Sequence, residues 1–334
     1  MSAPSLLTKS CHDIDIILWL LCSPSPKSNN PPHLPSTVSS SGSLVHFKPS
    51  RKPPLAGAAT NCFSCHAENE CQYSAKKISI QKKLRNNKTG WPLNVAVPEI
   101  NDLLEQGTDY AEQKVVERLS EDYTSETDQA TISSRSWYGR CVYEADNDVC
   151  DNQVVNITWE DDFLSGNNIS EQNARKGRGA KTATFHMVAF SSDVSSHRRT
   201  RIYGTRGEMV SDGDSITVCL SGFLRPLSKH LRAQVHDFPS GTSKTHHSQL
   251  SGGAHEGGDY GLARQFVLAI DAVKSHGMSV ADAQKVHIRC TLEEVIRSHA
   301  FVFAADEARK AETIIRWEDW WEEKVQSKMD GLQV

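Results

Sequence analysis

"VVNITW" (Val154–Trp159) is followed by "TATFHMVAF" (Thr182–Phe190), "RTRIYG" (Arg199–Gly204) and "GEMVSDGDSITVCL" (Gly207–Leu220). β-Branched and aromatic residues fill these runs, with partial alternation, the pattern of strands. In the last run Asp212-Gly213 sits where a two-residue hairpin turn belongs. Strands therefore come consecutively, with no helix-length segment between most of them. That order predicts an antiparallel sheet and an α+β fold, rather than alternating βαβ units.

Helical patterns lie outward of this block. Ile14, Ile17, Leu18 and Leu21 recur at helical spacing within residues 12–22, and Pro24 ends the run. Residues 23–58 are rich in Ser, Pro, Asn and Lys, with one short strand expected at "SGSLVHF" (Ser41–Phe47). A basic helix-like stretch, "SAKKISIQKKL", precedes a mostly helical region over Pro98–Leu119; a polar linker then spans Ser120–Ser136. Residues 228–258 read as loop, including His246-His247. Two long helices follow, Asp259–Ser275 and Thr291–Ala311, the second opening on a Thr291/Glu294 capping box. The expected architecture is a mainly antiparallel open sheet flanked by helices, with long polar loops. Its segments are 1–22, a signature helix; 23–136, a loop-rich insertion with a cysteine cluster; and 137–325, the sheet and closing helices.

Composition narrows the function classes. Across 334 residues, 37 Lys+Arg oppose 41 Asp+Glu for a net charge of −4, so no basic surface points to nucleic acid. The apolar run Ile16–Cys22 is short and follows Asp13 and Asp15, which argues against a signal peptide. No other segment reaches the roughly 18 apolar residues of a membrane span. Nine cysteines at irregular spacing do not form a secreted disulfide framework. These features together predict a cytoplasmic protein that engages neither nucleic acid nor membrane.

"TNCFSCHAENEC" (Thr60–Cys71) contains C-x-x-C-H, the spacing of covalent haem attachment. Haem is disfavoured, since no export signal and no axial methionine segment accompany it. Cys62, Cys65 and Cys71 have a spacing that can hold zinc, with His66 or Cys11 as fourth ligand. Without a second C-x-x-C pair they also read as plain free thiols. "RWEDWWEEK" (Arg316–Lys324) puts Trp317, Trp320 and Trp321 on one helix face, a packing stripe or a cover for a partner.

"LLTKSCHDIDIILWLL" (Leu6–Leu21) resembles the signature helix of the Gfo/Idh/MocA family of NAD(P)-dependent sugar and cyclitol oxidoreductases. Of that family's D-x-G-x-H-x-x-D, His12 and Asp15 are present, while Thr8 and Ser10 replace the first aspartate and the glycine. Lys9-Ser10-Cys11-His12-Asp13-Ile14-Asp15 is similar to a K-S-C-H-D-x-D version in one subgroup. "GRCVYEADNDVCDNQVV" (Gly139–Val155), "RIYGTRGEM" (Arg201–Met209), "GAHEGGDYGLARQF" (Gly253–Phe266) and the closing helix resemble further family segments in the right order, covering most of residues 4–320.

The resemblance implies a substrate-side domain. Its Rossmann partner would carry G-x-G-x-x-G and a later E-K-P, and neither occurs in these residues. The chain is therefore expected to lack the nucleotide-binding domain, to bind no NAD(P) alone and to be inactive alone. Whether it is itself an enzyme stays open. By resemblance His12 is the proton-transfer position, and Lys9 orients the hydroxyl or acts as a neighbouring cation; a locally bonded helix histidine is the plainer alternative. Asp13 and Asp15 go with them as substrate-binding positions. Asp146, Asp148 and Asp151 either accept sugar hydroxyls or form a solvated turn. His255, Asp259 and Tyr260 line the pocket, or Asp259 only caps its helix. Expected partners are a sugar or cyclitol and a second copy or paralogue. An NAD-dependent glycosidase and a non-catalytic interaction domain are the alternative readings.

Overall fold

The computed structural model describes residues 4–24, 30–144, 148–162, 178–191, 198–205, 207–212, 215–220, 243–247 and 258–330. It is α+β with antiparallel sheets, as the run of strands predicts. The chain divides into two compact units, residues 1–190 with 294–334, and residues 191–293. The strands expected to form one domain over 137–325 thus fall into two sheets, one in each unit.

In the first unit, β1 (Thr37–Ser43), β2 (Asn152–Trp159), β3 (Lys181–Val188) and β8 (Ile315–Arg316) run in the order β3-β2-β1-β8. Alternation along β2 turns Gln153, Val155, Ile157 and Trp159 inward and leaves Asn156 exposed. Val38 lies opposite Ile157 on the same inner face. Helix α2 (Cys11–Cys22) brings Ile14, Leu18 and Cys22 to this core, joined to the short helix α1 (Ser5–Lys9) through the buried Ser10. The long closing helix (Leu292–Ala311) contributes Phe301, Val302, Ala304 and Ala305. Trp317 is buried against Phe301, their rings 4.9 Å apart, and Trp320 stacks on Trp317 at 5.7 Å. The tryptophan stripe therefore packs into this core. Each large side chain so buried contributes about 1.5–3 kcal/mol.

The strand expected over Ser41–Phe47 is displaced toward the N-terminus. β1 has the sequence TVSSSGS, few of whose residues favour a strand by themselves; it is held between β2 and β8. It stops at Ser43 because the next amides turn away from the sheet to the Asp151 carboxylate. Val45 N–H donates to Oδ1, and His46 and Phe47 N–H donate to Oδ2, each at 2.8 Å. Gly42 permits a close approach here, since a Cβ would lie 2.6 Å from the Asn152 carbonyl oxygen.

Residues 60–141 insert between β1 and β2. Their separate apolar cluster includes Leu84, Leu93, Ile100, Val115 and Leu119 from short helices and from Thr108–Ser120. The expected linker Ser120–Ser136 contains a further helix, Gln129–Ser134. Asp128 caps it by accepting from Thr131 N–H at 2.9 Å, a local bond that offsets the poor helix propensity of its residues.

In the second unit, β4 (Thr200–Gly204), β5 (Gly207–Ser211), β6 (Ser215–Leu220) and β7 (Ser243–His247) form a sheet in sequence order. β5 and β6 make the expected hairpin, with the Asp212 carboxylate accepting from Ser215 N–H at 2.8 Å. His246 and His247 lie on a strand rather than in loop. β6 supplies the backbone partners that make SKTHH extended, and Thr217 and Thr245 hydroxyls meet at 2.8 Å. The same unit holds the helices Gly258–His276 and Val280–Ala283.

Candidate functional site

Two places in the first unit bring chemistry-bearing residues together. One is the start of α2. Ser10 ends α1 and opens α2, so Lys9 and His12 stand on either side of a tight junction, and both are exposed. His12 Nε2 lies 3.7 Å from Asp13 Oδ2, the histidine side chain 57% exposed and the aspartate only 13%. Cys11 Sγ lies 4.0 Å from the other ring nitrogen, Nδ1. Asp15 is half-buried one turn along. An accessible imidazole beside a half-buried carboxylate can take a proton, and the carboxylate then faces the imidazolium.

The remaining candidates distribute differently. Asp151 is 3% exposed and its carboxylate is occupied by three backbone amides, so its role is to hold the chain after β1. That assigns the carboxylate to the backbone rather than to sugar hydroxyls: three amides already bond to its two oxygens, and burial keeps it from solvent and from a ligand. Asp148 is exposed three residues before it, and Asp146 lies outside the described residues. His255 also lies outside them. Asp259 and Tyr260 open the helix Gly258–His276 of the second unit; Asp259 stands in its first turn, favourably placed for the helix dipole, and Tyr260 is 75% exposed.

The second place is the cysteine stretch. Burial pushes the Cys62 thiol up to about 11; Cys141, Cys71 and Cys65 add to this, while an Ala75 N–H bond to the sulfur at 3.4 Å opposes it. Cys141 is likewise raised by burial and opposed by a Tyr143 amide and by Lys52. His66 is exposed, and Cys11 is beside His12 in α2. No group of three or more His, Cys, Asp or Glu side chains among the described residues is placed to hold a metal ion. Cys141 and Lys52 were not singled out by sequence reasoning. Cys141 lies seventy positions after Cys71, and it is the Cys141 amide, bonded to Thr60 O at 2.8 Å, that ties the two ends of this insertion together.

A packed aromatic group adjoins Asp151. His46 stacks on Phe190 with centroids 4.9 Å apart, and Tyr143 Oη lies 3.3 Å from His46 Nε2. Tyr73 Oη donates to Phe190 O at 2.9 Å. These rings pack on one another and fix the loop that Asp151 holds.

No helix among the described residues is long and apolar enough to cross a membrane. No family model matches the chain, and no curated protein or solved structure matches it.

Proposed function

We propose that the chain supplies the substrate-side half of an NAD(P)-dependent sugar or cyclitol oxidoreductase of the Gfo/Idh/MocA type, working in the cytoplasm. The observation that carries this reading is the exposed His12 beside Asp13, in the segment Lys9-Ser10-Cys11-His12-Asp13-Ile14-Asp15 on which the resemblance rests. In this reading a substrate hydroxyl lies against His12, which accepts its proton, and Asp13 stabilises the resulting imidazolium. Lys9 orients the same hydroxyl from across the junction. A nicotinamide would take the hydride from the carbon. These residues contain no glycine-rich turn before a helix of the kind that holds its pyrophosphate, so no step is assigned to it within this chain.

A titration with a panel of aldoses, inositols and other polyols, read at the His12 imidazole by NMR, tests the assignment. A saturable shift of the His12 resonances that weakens in Asp13→Asn is expected. If every polyol leaves the His12 resonances unmoved, the reading fails.

A second reading, a non-catalytic interaction domain, is favoured by the outer face of the first sheet. Thr182, Thr184, His186 and Val188 are exposed in register along β3, with Thr184 bonded to Asn156 and His186 to Asn152, each at 2.9 Å. Such a pre-ordered polar face suits a second copy or a paralogue. Light scattering should then give a dimer or larger assembly, and a monomer at micromolar concentration would count against it.

A further inference from the structure

The helix Gly258–His276 buries a narrow face and leaves a broad apolar one open. Successive residues advance by about 100° around a helix, which places Ala269 and Ala272 on one side. They are buried there together with Ala283, and Val273 and Met278 pack alongside. The opposite side carries two adjoining rows: Leu262, Phe266 and Ile270 at i, i+4 and i+8, and Tyr260, Ala263 and Val267 at i, i+3 and i+7. Tyr260 is 75% exposed, Leu262 74%, Val267 63%, Phe266 60% and Ile270 44%. At roughly 150–250 Å² for a side chain of this size in water, the five present about 600 Å² of mostly apolar surface. The largest patches on soluble monomers are about 300–600 Å² and are often functional. One partner in a standard interface gives up about 800 Å². A face of this extent on one helix is a contact surface, unlike apolar residues scattered singly.

The charges around the face select the molecule that covers it. Asp259 stands at its N-terminal end and Lys274 at its C-terminal end. Along one flank Arg264 and Asp271 lie nearly in line, two turns apart, and both are exposed. Asp271 is 3.5 Å from His276 Nε2, with its side chain 53% exposed, so its carboxylate stays within reach of a second cation. Two acids and two bases balance, and the face lacks the Lys/Arg-rich rim of a helix that lies on an anionic lipid surface. It is instead complementary to itself when reversed. A two-fold axis passing between Phe266 and Val267, perpendicular to the helix, sets position 259 against 274 and, to within one residue, 264 against 271. Antiparallel copies then bring Asp259 to the partner's Lys274 and Arg264 to the partner's Asp271. The same axis places Ala263 opposite Ile270, small against large, and Phe266 opposite Val267. Parallel copies would align like charges and like helix dipoles, both of which repel.

We propose that this face joins two copies of the chain as an antiparallel, two-fold symmetric helix pair centred on Leu262, Phe266, Val267 and Ile270. Closing it removes about 1,200 Å² from the two copies together, the lower limit of stable interfaces, so dissociation falls in the micromolar range. In dilute protein the chain is a monomer with this face open. The contact is distinct from the outer face of β3, and the inference does not depend on the sugar reading.

The test is sedimentation equilibrium of the intact chain from about 1 to about 200 μM, a range that brackets micromolar dissociation. The wild type should pass from monomer to dimer and stop there. Leu262→Glu, at an exposed position, should weaken the dimer at least tenfold. Arg264→Glu and Asp271→Arg should each weaken it severalfold, and the double variant Arg264→Glu/Asp271→Arg should recover it. That recovery marks a contact between copies, since the two positions are too far apart to pair along one helix. Thr182→Arg, on the exposed face of β3, should leave the dimer intact. A chain that stays monomeric at the highest concentration overturns the proposal. So does a dimer that survives Leu262→Glu, one lost in Thr182→Arg alone, or a double variant weaker than both single ones. If Leu262→Glu does not fold, the charge reversals still decide.

Discussion

The two sheets have the same strand number and the same antiparallel pairing, but they differ in what they bury. In the first unit, β2 alternates cleanly, and Val155, Ile157 and Trp159 are covered by α2 and the closing helix. In the second, no described residue of β4, β5 or β6 is buried; among the described residues the unit's buried apolar side chains are Ala269, Ala272 and Ala283. On its helix Gly258–His276, Leu262, Phe266 and Val267 are 60% exposed or more. Ladder hydrogen bonds define a sheet's geometry, but removal of apolar surface from water supplies most of its stability. The difference teaches that stability should reside in the first unit and that equal strand counts say little about it.

Truncation gives the largest expected contrast. Trp159→Ala removes a fully buried ring and should cost about 3–5 kcal/mol in urea denaturation. Phe266→Ala, at a side chain 60% exposed, should cost about 1 kcal/mol or less. A comparable loss at both positions would break the contrast.

Asp151 comes next. Asp151→Ala leaves the amides of Val45, His46 and Phe47 without their acceptor and should destabilise by about 2–3 kcal/mol. Asp148→Ala, three residues away and exposed, should stay within about 0.5 kcal/mol. Gly42→Ala follows, at about 1–3 kcal/mol, because the new methyl meets the backbone of β2.

The smallest effect is a pH dependence. His33 is 4% exposed; its Nε2 donates to Glu160 O at 2.9 Å, and burial holds its pKa below the usual histidine value. A depressed folded value means that the unfolded chain binds the proton first as pH falls. His33's contribution is therefore fully present above about pH 6.5 and is lost as the pH drops toward the folded value. The urea midpoint of the wild type should fall between pH 7.5 and 5.5 by more than that of His33→Gln. Parallel pH profiles would show that His33 is not the group.

The legible parts of the sequence were those whose side chains carry the pattern themselves. Val155, Ile157 and Trp159 announce β2, and Ile14 and Leu18 announce α2, because burial and periodicity coincide there. β1 was misplaced by four residues, since its serines gain strand geometry from two flanking strands and its end from a carboxylate more than a hundred positions away. β7 was hidden for the same reason: SKTHH is extended by pairing, not by propensity. At the candidate site, His12 and Asp13 were readable as sequence neighbours. The role of Asp151 depends on contacts across more than a hundred positions, which no local spacing encodes.

Native-state hydrogen exchange tests the contrast between the units most directly. The amides of Val155 and Ile157 in β2 and of Val302 and Ala305 in the closing helix should exchange only through global unfolding, with protection equal to the stability measured in urea. The amides of Met209 and Val218, paired between β5 and β6, should exchange through local opening at a smaller free energy, insensitive to Trp159→Ala. Equal protection in both sheets, lost together in Trp159→Ala, would contradict the account.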